Sequence, residues 1–433
     1  MKILKENTMN MHKRIEVEER VTMPQVDHKD FTEAANENVD KRSYRLSNID
    51  MVRGLVVLIM AIDHVRDFMM MGGVQDPMAQ PDIGIGLYMT RWITHFCAPV
   101  FIFLAGTSVG LMAGRKPARE LATFVLKRGI WLIVMEITVI SFAWTFTIFN
   151  EPAVAGNYQV FLQVIWALGA SMVVLSGALF MGPRACLIIG AAIILGHNML
   201  DQVWPVAAMM DSVNNPFWYT LHSQATHYFG PTVVSSVYPL LPCIGIMMVG
   251  YGSAFIFQKP AGERDALLMK TGLISLAAFV VIRLSGIYGE PNPWQVQEFG
   301  ALATFFDFMN VSKYPASLLY ILATLGVMAI VGSQAWRVKG WLKDTLVMFG
   351  RVPFAFYVAH LYLIHVMSIL LGMAQGYEFS QMMHFFPFYP QGYGIDVVGV
   401  YVCWILVIAI LYPFCKWVAE IKRTRKDWWL SYL

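Results

Sequence analysis

The sequence predicts an all-α fold, a polytopic integral membrane bundle of about ten transmembrane helices with both termini in the cytoplasm. Three observations predict it. Hydrophobic residues make up 57% of the chain and charged residues only 14%, whereas soluble domains carry about 25% charged residues. Apolar runs of about 20 residues, enough to cross a bilayer, recur along the length. Lys and Arg also alternate sharply between successive loops.

Residues 1–44 are polar, mixed in charge and without the apolar stretch of a signal peptide, so they read as a disordered cytoplasmic tail. A transmembrane domain follows over residues 45–420, and a basic cytoplasmic tail over 421–433. The expected spans are approximately 50–71, 87–113, 121–149, 159–181, 185–200, 234–257, 267–287, 314–333, 345–371 and 393–420. Arg115, Lys116, Arg119, Lys127 and Arg128 flank the second loop. Lys259, Arg264 and Lys270 mark the sixth, Arg337, Lys339 and Lys343 the eighth, and Lys422, Arg423, Arg425 and Lys426 the tail. The stretches 149–158, 197–233 and 372–392 hold no Lys or Arg, which puts them outside the cell and the termini inside.

Gly106, Gly110 and Gly114 form a small-residue face for close helix packing. No internal repeat of the kind seen in many transporters is visible. The five cysteines (Cys97, Cys186, Cys243, Cys403 and Cys415) lie in apolar runs without CxxC spacing and read as packing residues. His360 and His365 are five apart, off the i, i+4 spacing of a helical metal pair, so no metal is expected. Phosphate-binding glycine loops are absent and nothing suggests nucleic-acid recognition. The outer stretches Asn198–Ser236 and Gly286–Lys313 are rich in Pro, Asn and aromatic residues, a composition suited to a lid or an acceptor-binding surface.

Ionisable groups in hydrocarbon are costly and need a partner or a purpose. Asp50 and Arg53 share one face of the first span and can pair. Asp63, His64, Arg66 and Asp67 follow; His64 lies roughly 21 Å above Asp50, in the outer half of the membrane. His95 sits roughly 12 Å below the outer start of the second span, and His360 roughly 22 Å into the ninth, so three helices bring imidazoles to similar depth. Arg91 and Glu136 join this inventory. His365 reads as interfacial, and His222 and His227 as solvated loop residues. Each ionisable cluster also has a plain reading as a packing ion pair, and a proton or substrate relay in a transporter or flippase accounts for the same residues.

The stretches RLSNIDMVRGLVVLIMAIDHVRD, TRWITHFCAPVFIFLAGTS, YPLLPCIGIMMVGYG, RLSGIYGEPNPW, FMNVSKYPASLLYILATLG and FGRVPFAFYVAHLYLIH carry a resemblance. Together they span nearly everything from Arg45 to about Tyr412, and the chain resembles the bacterial relatives of the heparan-α-glucosaminide N-acetyltransferase catalytic domain. A more distant resemblance is to membrane acyltransferases that modify surface sugars, whose first helix carries an Arg, ten residues and a His; Arg53 and His64 have that spacing. One departure stands out. The lysosomal enzyme carries its catalytic histidine between the first and second helices, and here no histidine lies between His64 and His95.

The resemblance implies transfer of an acyl group, acetyl from acetyl-CoA, to a sugar hydroxyl or amine inside a plasma (bacterial inner) membrane. The partners implied are the bilayer and a small-molecule or glycan acceptor; a homo-oligomer stays open. Arg53, with Asp50 beside it, Lys127, Arg128 and Arg351 are expected at the cytoplasmic phosphates of the donor; Lys127 and Arg128 read equally as positive-inside anchors. His64 is the expected general base, oriented with the help of Asp63 or Asp67. His95 is expected to polarise the thioester or carry an acyl-imidazole. Arg91, Glu136 and His360 are expected to support these groups.

Overall fold

The computed structural model describes residues 28–72, 84–146, 158–203, 216–383, 389–425 and 427–431. Two compact units divide between Tyr44 and Arg45. Residues 28–44 of the first are helical where a disordered tail is expected, and residues 1–27 lie outside the described part. In chain order the helices are α1 (His28–Met69), α2 (Ile85–Thr94), α3 (Cys97–Ala113), α4 (Ala118–Met135), α5 (Ser141–Thr145), α6 (Val164–Ala178), α7 (Pro183–Gly196) and α8 (Pro216–His222). Then come α9 (Leu240–Gly252), α10 (Ala261–Ser285), α11 (Ala301–Met309), α12 (Leu318–Ser333), α13 (Gly340–Arg351), α14 (Pro353–Ala374), α15 (Phe379–Met382) and α16 (Val397–Thr424).

Seven helical segments among the described residues are long and apolar enough to cross a membrane: Ile85–Ala113, Val164–Met181, Pro183–Gln202, Leu240–Gln258, Ala261–Ser285, Pro353–Ala374 and Val397–Thr424. The protein is therefore a helical membrane protein. The three other expected spans meet helices of a different kind. Residues 50–71 fall in the polar-started α1. Residues 121–149 are divided by a π-helical turn at Glu136–Ile140, and α12 has only 16 residues.

Prolines set two of the breaks. Pro99 lies in the first turn of α3, where the missing N–H ends the continuity with α2. Pro353 opens α14 and forces Val352 out of helical geometry, with φ −128° and ψ 42°, so the expected span 345–371 becomes two helices.

The all-α expectation needs one correction. Three short strands, β1 (Tyr158–Leu162), β2 (Ala225–Phe229) and β3 (Thr232–Ser236), form a sheet in the order β1-β3-β2, with β1 parallel and β2 antiparallel to β3. The hairpin turn starts at Gly230, whose φ of +58° is the left-handed geometry such turns require. Period-2 alternation over five residues is too short a signal to separate a strand from an apolar loop. The sheet leads β1 directly into α6, and the Leu162 carbonyl accepts from the backbone N–H groups of Val237 (3.0 Å) and Tyr238 (3.2 Å).

Glycines let several helices touch at backbone distance. A Cβ at Gly350 of α13 would stand 1.7 Å from the Asp50 carbonyl oxygen, and one at Gly54 of α1 would stand 1.8 Å from that of Leu346. Gly106 and Gly110 serve the predicted small-residue face, pressed on Met247 and Tyr251 of α9, while Gly114 meets nothing within 4 Å. Gly350→Ala is expected to lower the thermal midpoint of the purified protein, with a cost of about 1–3 kcal/mol. An unchanged midpoint would contradict this crossing.

Candidate active site

The site starts from the broken second span. Pro99 has no N–H to give to the His95 carbonyl one turn back, and the Tyr320 hydroxyl donates to that oxygen instead, at 2.7 Å. His95 then turns its ring toward Tyr320, with centroids 5.4 Å apart, and its Nδ1 bonds the Arg91 carbonyl at 2.9 Å. Depth alone puts both His95 and His360 level with His64; of the two, the structure brings His360 into contact with it.

His64 and His360 lie stacked, centroids 4.9 Å apart at 16°, with His64 Nδ1 and His360 Nε2 separated by 2.6 Å. His360 Nδ1 lies 2.9 Å from the Phe356 carbonyl, an acceptor only, so Nδ1 carries the hydrogen. A neutral His360 is then an acceptor at Nε2, and His64 must donate from Nδ1. The chain of bonds leaves His64 Nε2 with a lone pair, and among the described residues it has no hydrogen-bond partner. Trp144 packs edge-on at 5.4 Å and Tyr357 at 6.0 Å, which holds the ring.

Asp63 is the centre of a buried charge network. Arg91 donates to both its carboxylate oxygens, at 3.1 and 2.9 Å, Arg66 Nη2 lies 3.1 Å away and Lys313 Nζ 3.5 Å away. Asp67 pairs with Arg66 at 2.6 Å. Neither carboxylate has a hydrogen bond to His64 among the described residues; both are committed to cations. Asp63, His64, Lys313, Thr94, Cys97 and Tyr238 line a cavity of about 30 Å³.

A second cavity of about 80 Å³ shares Met60, Phe101 and Val164 with the first and ends on Arg128, Pro353 and Phe354. The two cavities lie side by side between α1, α3, α4, α6 and α14, with these three side chains as common wall. Lys127, by contrast, is exposed on α4. Arg53 is engaged in helix contacts: it donates to Asp50 at 3.2 Å, to the Gly350 carbonyl at 3.3 Å and to Ser108 Oγ at 3.0 Å. Arg351 Nε stands 3.6 Å from Asp50, and Lys422 donates to the Arg351 carbonyl at 2.8 Å.

Glu136, expected to support the histidines, is committed to backbone donors instead. Its carboxylate accepts from the Trp166 N–H at 2.7 Å and lies over the free N–H groups that open α6, next to the π turn. Three histidine readings need correction. His365 is fully buried, its Nδ1 on the Ala143 carbonyl at 2.8 Å and its ring stacked on Phe146. His222 is fully buried and bonds Asp201 at 2.7 Å. His227, on β2, is only 5% exposed. No group of three or more His, Cys, Asp or Glu that could hold a metal occurs among the described residues.

Sequence reading missed Lys313, Tyr238 and the strap that carries Lys313. The strap is held by Glu290, which accepts from the Ser312 N–H with both oxygens at 3.0 Å and from the Ser317 hydroxyl at 2.7 Å. Burial pushes the Glu290 carboxyl up to about 7 from 4.5, against the lowering effect of these donors. The folded carboxyl thus holds its proton to higher pH than the unfolded one. Its contribution to stability is full below about 4.5 and is lost as pH rises through about 7. Relative to Glu290→Gln, wild-type stability is expected to fall by roughly 3 kcal/mol across that window, at about 1.4 kcal/mol per unit. Thermal melts at matched pH check this, and parallel curves for the two proteins would refute it.

Among curated proteins none matches the chain at a significant level. The family model described as heparan-alpha-glucosaminide N-acetyltransferase, catalytic, matches residues 45–287, more than half of the chain. The matched segment contains His64, Asp63, Arg91, Arg128 and Tyr238, and the chain belongs to the heparan-α-glucosaminide N-acetyltransferase catalytic-domain family.

Proposed function

We propose that the protein transfers an acetyl group from cytoplasmic acetyl-CoA to a sugar hydroxyl or amine, with His64 as general base. The observation that carries this reading is the relay from the Phe356 carbonyl through His360 to His64, which leaves Nε2 as a base on a residue that lines a cavity. About ten helices cross the membrane, the seven apolar segments together with the outer part of α1, α4–α5 and α12. Both termini face the cytoplasm, because the Lys- and Arg-rich loops then lie inside. The membrane is a plasma (bacterial inner) membrane.

In this reading the two cavities join into one slot past Met60, Phe101 and Val164, with Arg128 at its cytoplasmic end and the Asp63–His64 network at its outer end. The donor's phosphates bind Arg128, Lys422 and Arg351, and the pantetheine arm threads past Met60, Phe101 and Val164. Both cavities widen to admit the donor, since about 30 and 80 Å³ fall well short of the roughly 300 Å³ of a small ligand pocket. The acceptor enters from the outer side beside Tyr238 and Lys313. His64 Nε2 takes the acceptor proton as the oxygen or nitrogen attacks the thioester carbonyl, the C–S bond breaks, and the imidazolium returns the proton to the CoA thiolate. The Lys313 ammonium, near Asp63, supplies positive potential for the oxyanion. Direct transfer fits better than an acyl-imidazole on His95, whose ring lines neither cavity.

Equilibrium binding of radiolabelled acetyl-CoA to purified protein tests the donor half. Arg128→Ala is expected to weaken binding about 10- to 150-fold, as loss of one charge-assisted contact of about 1.5–3 kcal/mol implies. Lys127→Ala should leave it unchanged. Equal effects of the two substitutions would remove the slot from the donor path.

A further inference from the structure

A polar atom buried without a hydrogen bond is costly, so each one asks for a partner or a purpose. His64 Nε2 aside, the Tyr357 hydroxyl is the one such atom among the described residues whose side chain lines either of the two cavities walled by Met60, Phe101 and Val164. Tyr357 is 3% exposed. It stands on α14 four residues after Pro353 and three before His360, so the three share one face of the helix. Pro353, Phe354 and Tyr357 line the cavity of about 80 Å³. The Tyr357 ring meets His64 edge-on at 6.0 Å and His360 at 5.5 Å, which fixes it against the imidazole relay itself. Glu136, from the π turn, and Tyr314, next to Lys313 on the strap, are near enough to act electrostatically on its phenol.

We infer that the Tyr357 hydroxyl donates a hydrogen bond to the acetyl carbonyl oxygen of the donor thioester and holds it as negative charge develops there. Tyr357 thereby joins His64 as a catalytic residue of the acyltransfer reading, on which this assignment rests. Acyl transfer needs two complementary groups at one carbon: an acceptor for the nucleophile's proton and a donor for the carbonyl oxygen. His64 Nε2 offers the lone pair. Tyr357, with no acceptor of its own among the described residues, offers the O–H. Lys313, whose ammonium stands 3.5 Å from Asp63, supplies potential; the phenol supplies direction. As the acceptor attacks, the carbonyl π pair moves onto oxygen, where the Tyr357 O–H stabilises it without giving up its proton. Collapse restores the C=O bond and expels the CoA thiolate, which takes its proton from the His64 imidazolium. The hydrogen bond is strongest while the oxygen is charged, so it favours the transition state over bound acetyl-CoA.

Tyr357→Phe removes one oxygen and keeps the ring, so the packing on His64 and His360 stays. The assay is saturable release of the CoA thiol from acetyl-CoA by purified protein, with water or glucosamine as acceptor. The kcat is expected to fall about 10²–10³-fold, the range for loss of one oxyanion donor, with little change in KM. The thermal midpoint is expected to hold or rise, because the hydroxyl bonds nothing among the described residues; a phenol that served only the fold would lower it. A second readout needs no turnover: equilibrium binding of acetyl-CoA against S-ethyl-CoA, a thioether without the carbonyl. Wild type is expected to prefer acetyl-CoA by about 2- to 12-fold, as one neutral hydrogen bond implies. Tyr357→Phe should lose that preference with its affinity for S-ethyl-CoA unchanged. Full kcat in Tyr357→Phe beside an inactive His64→Ala would overturn the inference and leave the acyltransfer reading in place. A Phe variant that keeps the wild-type preference, or that loses both ligands equally, would overturn it as well. Wild type that binds neither CoA derivative would remove the acyltransfer reading and the Tyr357 assignment with it.

Discussion

Replacing His64 by Ala is expected to lower acetyl transfer by about 10²–10⁴-fold, the range for loss of a general base, with acetyl-CoA binding and folding kept. The effect is large because no second imidazole stands ready. His95 faces Tyr320, and both nitrogens of His360 are occupied, one by Phe356 and one by His64. His360 is a positioning residue, acting through the tautomer of His64. His360→Ala should cut kcat by a smaller factor with little change in KM, and His360→Gln, whose amide oxygen can still accept from His64 Nδ1, should restore much of it. Initial-rate assays of the three variants against one acceptor make the comparison. A His64→Ala protein with full activity would end the assignment, and a Gln variant no better than Ala would reduce His360 to packing.

The second large effect concerns Asp63. Removing this carboxylate takes the counter-charge from Arg91 and Lys313 and leaves Arg66 only Asp67. Breaking a buried pair in this way costs about 3–5 kcal/mol, more than the pair itself contributes, because the remaining charges stay desolvated. Asp63→Ala is therefore expected to melt far below wild type in detergent. Asp63→Ala combined with Arg91→Leu should recover part of the loss, since it removes one stranded cation. A single substitution with a wild-type midpoint would mean that water or relaxation already screens the network.

Composition and loop charge made the helical membrane fold legible, and the elements that escaped notice did so for local reasons. A hydropathy window reads Ile85–Ala113 as one span because it cannot see that Pro99 frees the His95 carbonyl. That break leaves the His95 ring facing Tyr320, so equal depth on three helices brings only two of the imidazoles, His64 and His360, together. His360, by contrast, was placed at the right depth but given a supporting part, since depth carries no information about azimuth. Glu136 was visible as an anomaly in an apolar run. Its task, facing the first N–H groups of α6, depends on a helix start nearly 30 residues further along the chain. Lys313 was hidden because it belongs to an outer loop by position, and only the hold of Glu290 on Ser312 and Ser317 brings it to Asp63.

The measurement that bears most directly on the central claim is release of the CoA thiol by purified protein given acetyl-CoA, followed with a thiol-reactive dye. The acyltransfer mechanism predicts saturable release that a sugar acceptor accelerates, and that His64→Ala abolishes while acetyl-CoA still binds. No release and no acetyl-CoA binding by well-folded wild type at millimolar donor would contradict it, and the buried His, Asp and Arg residues would then read as the relay of a transporter.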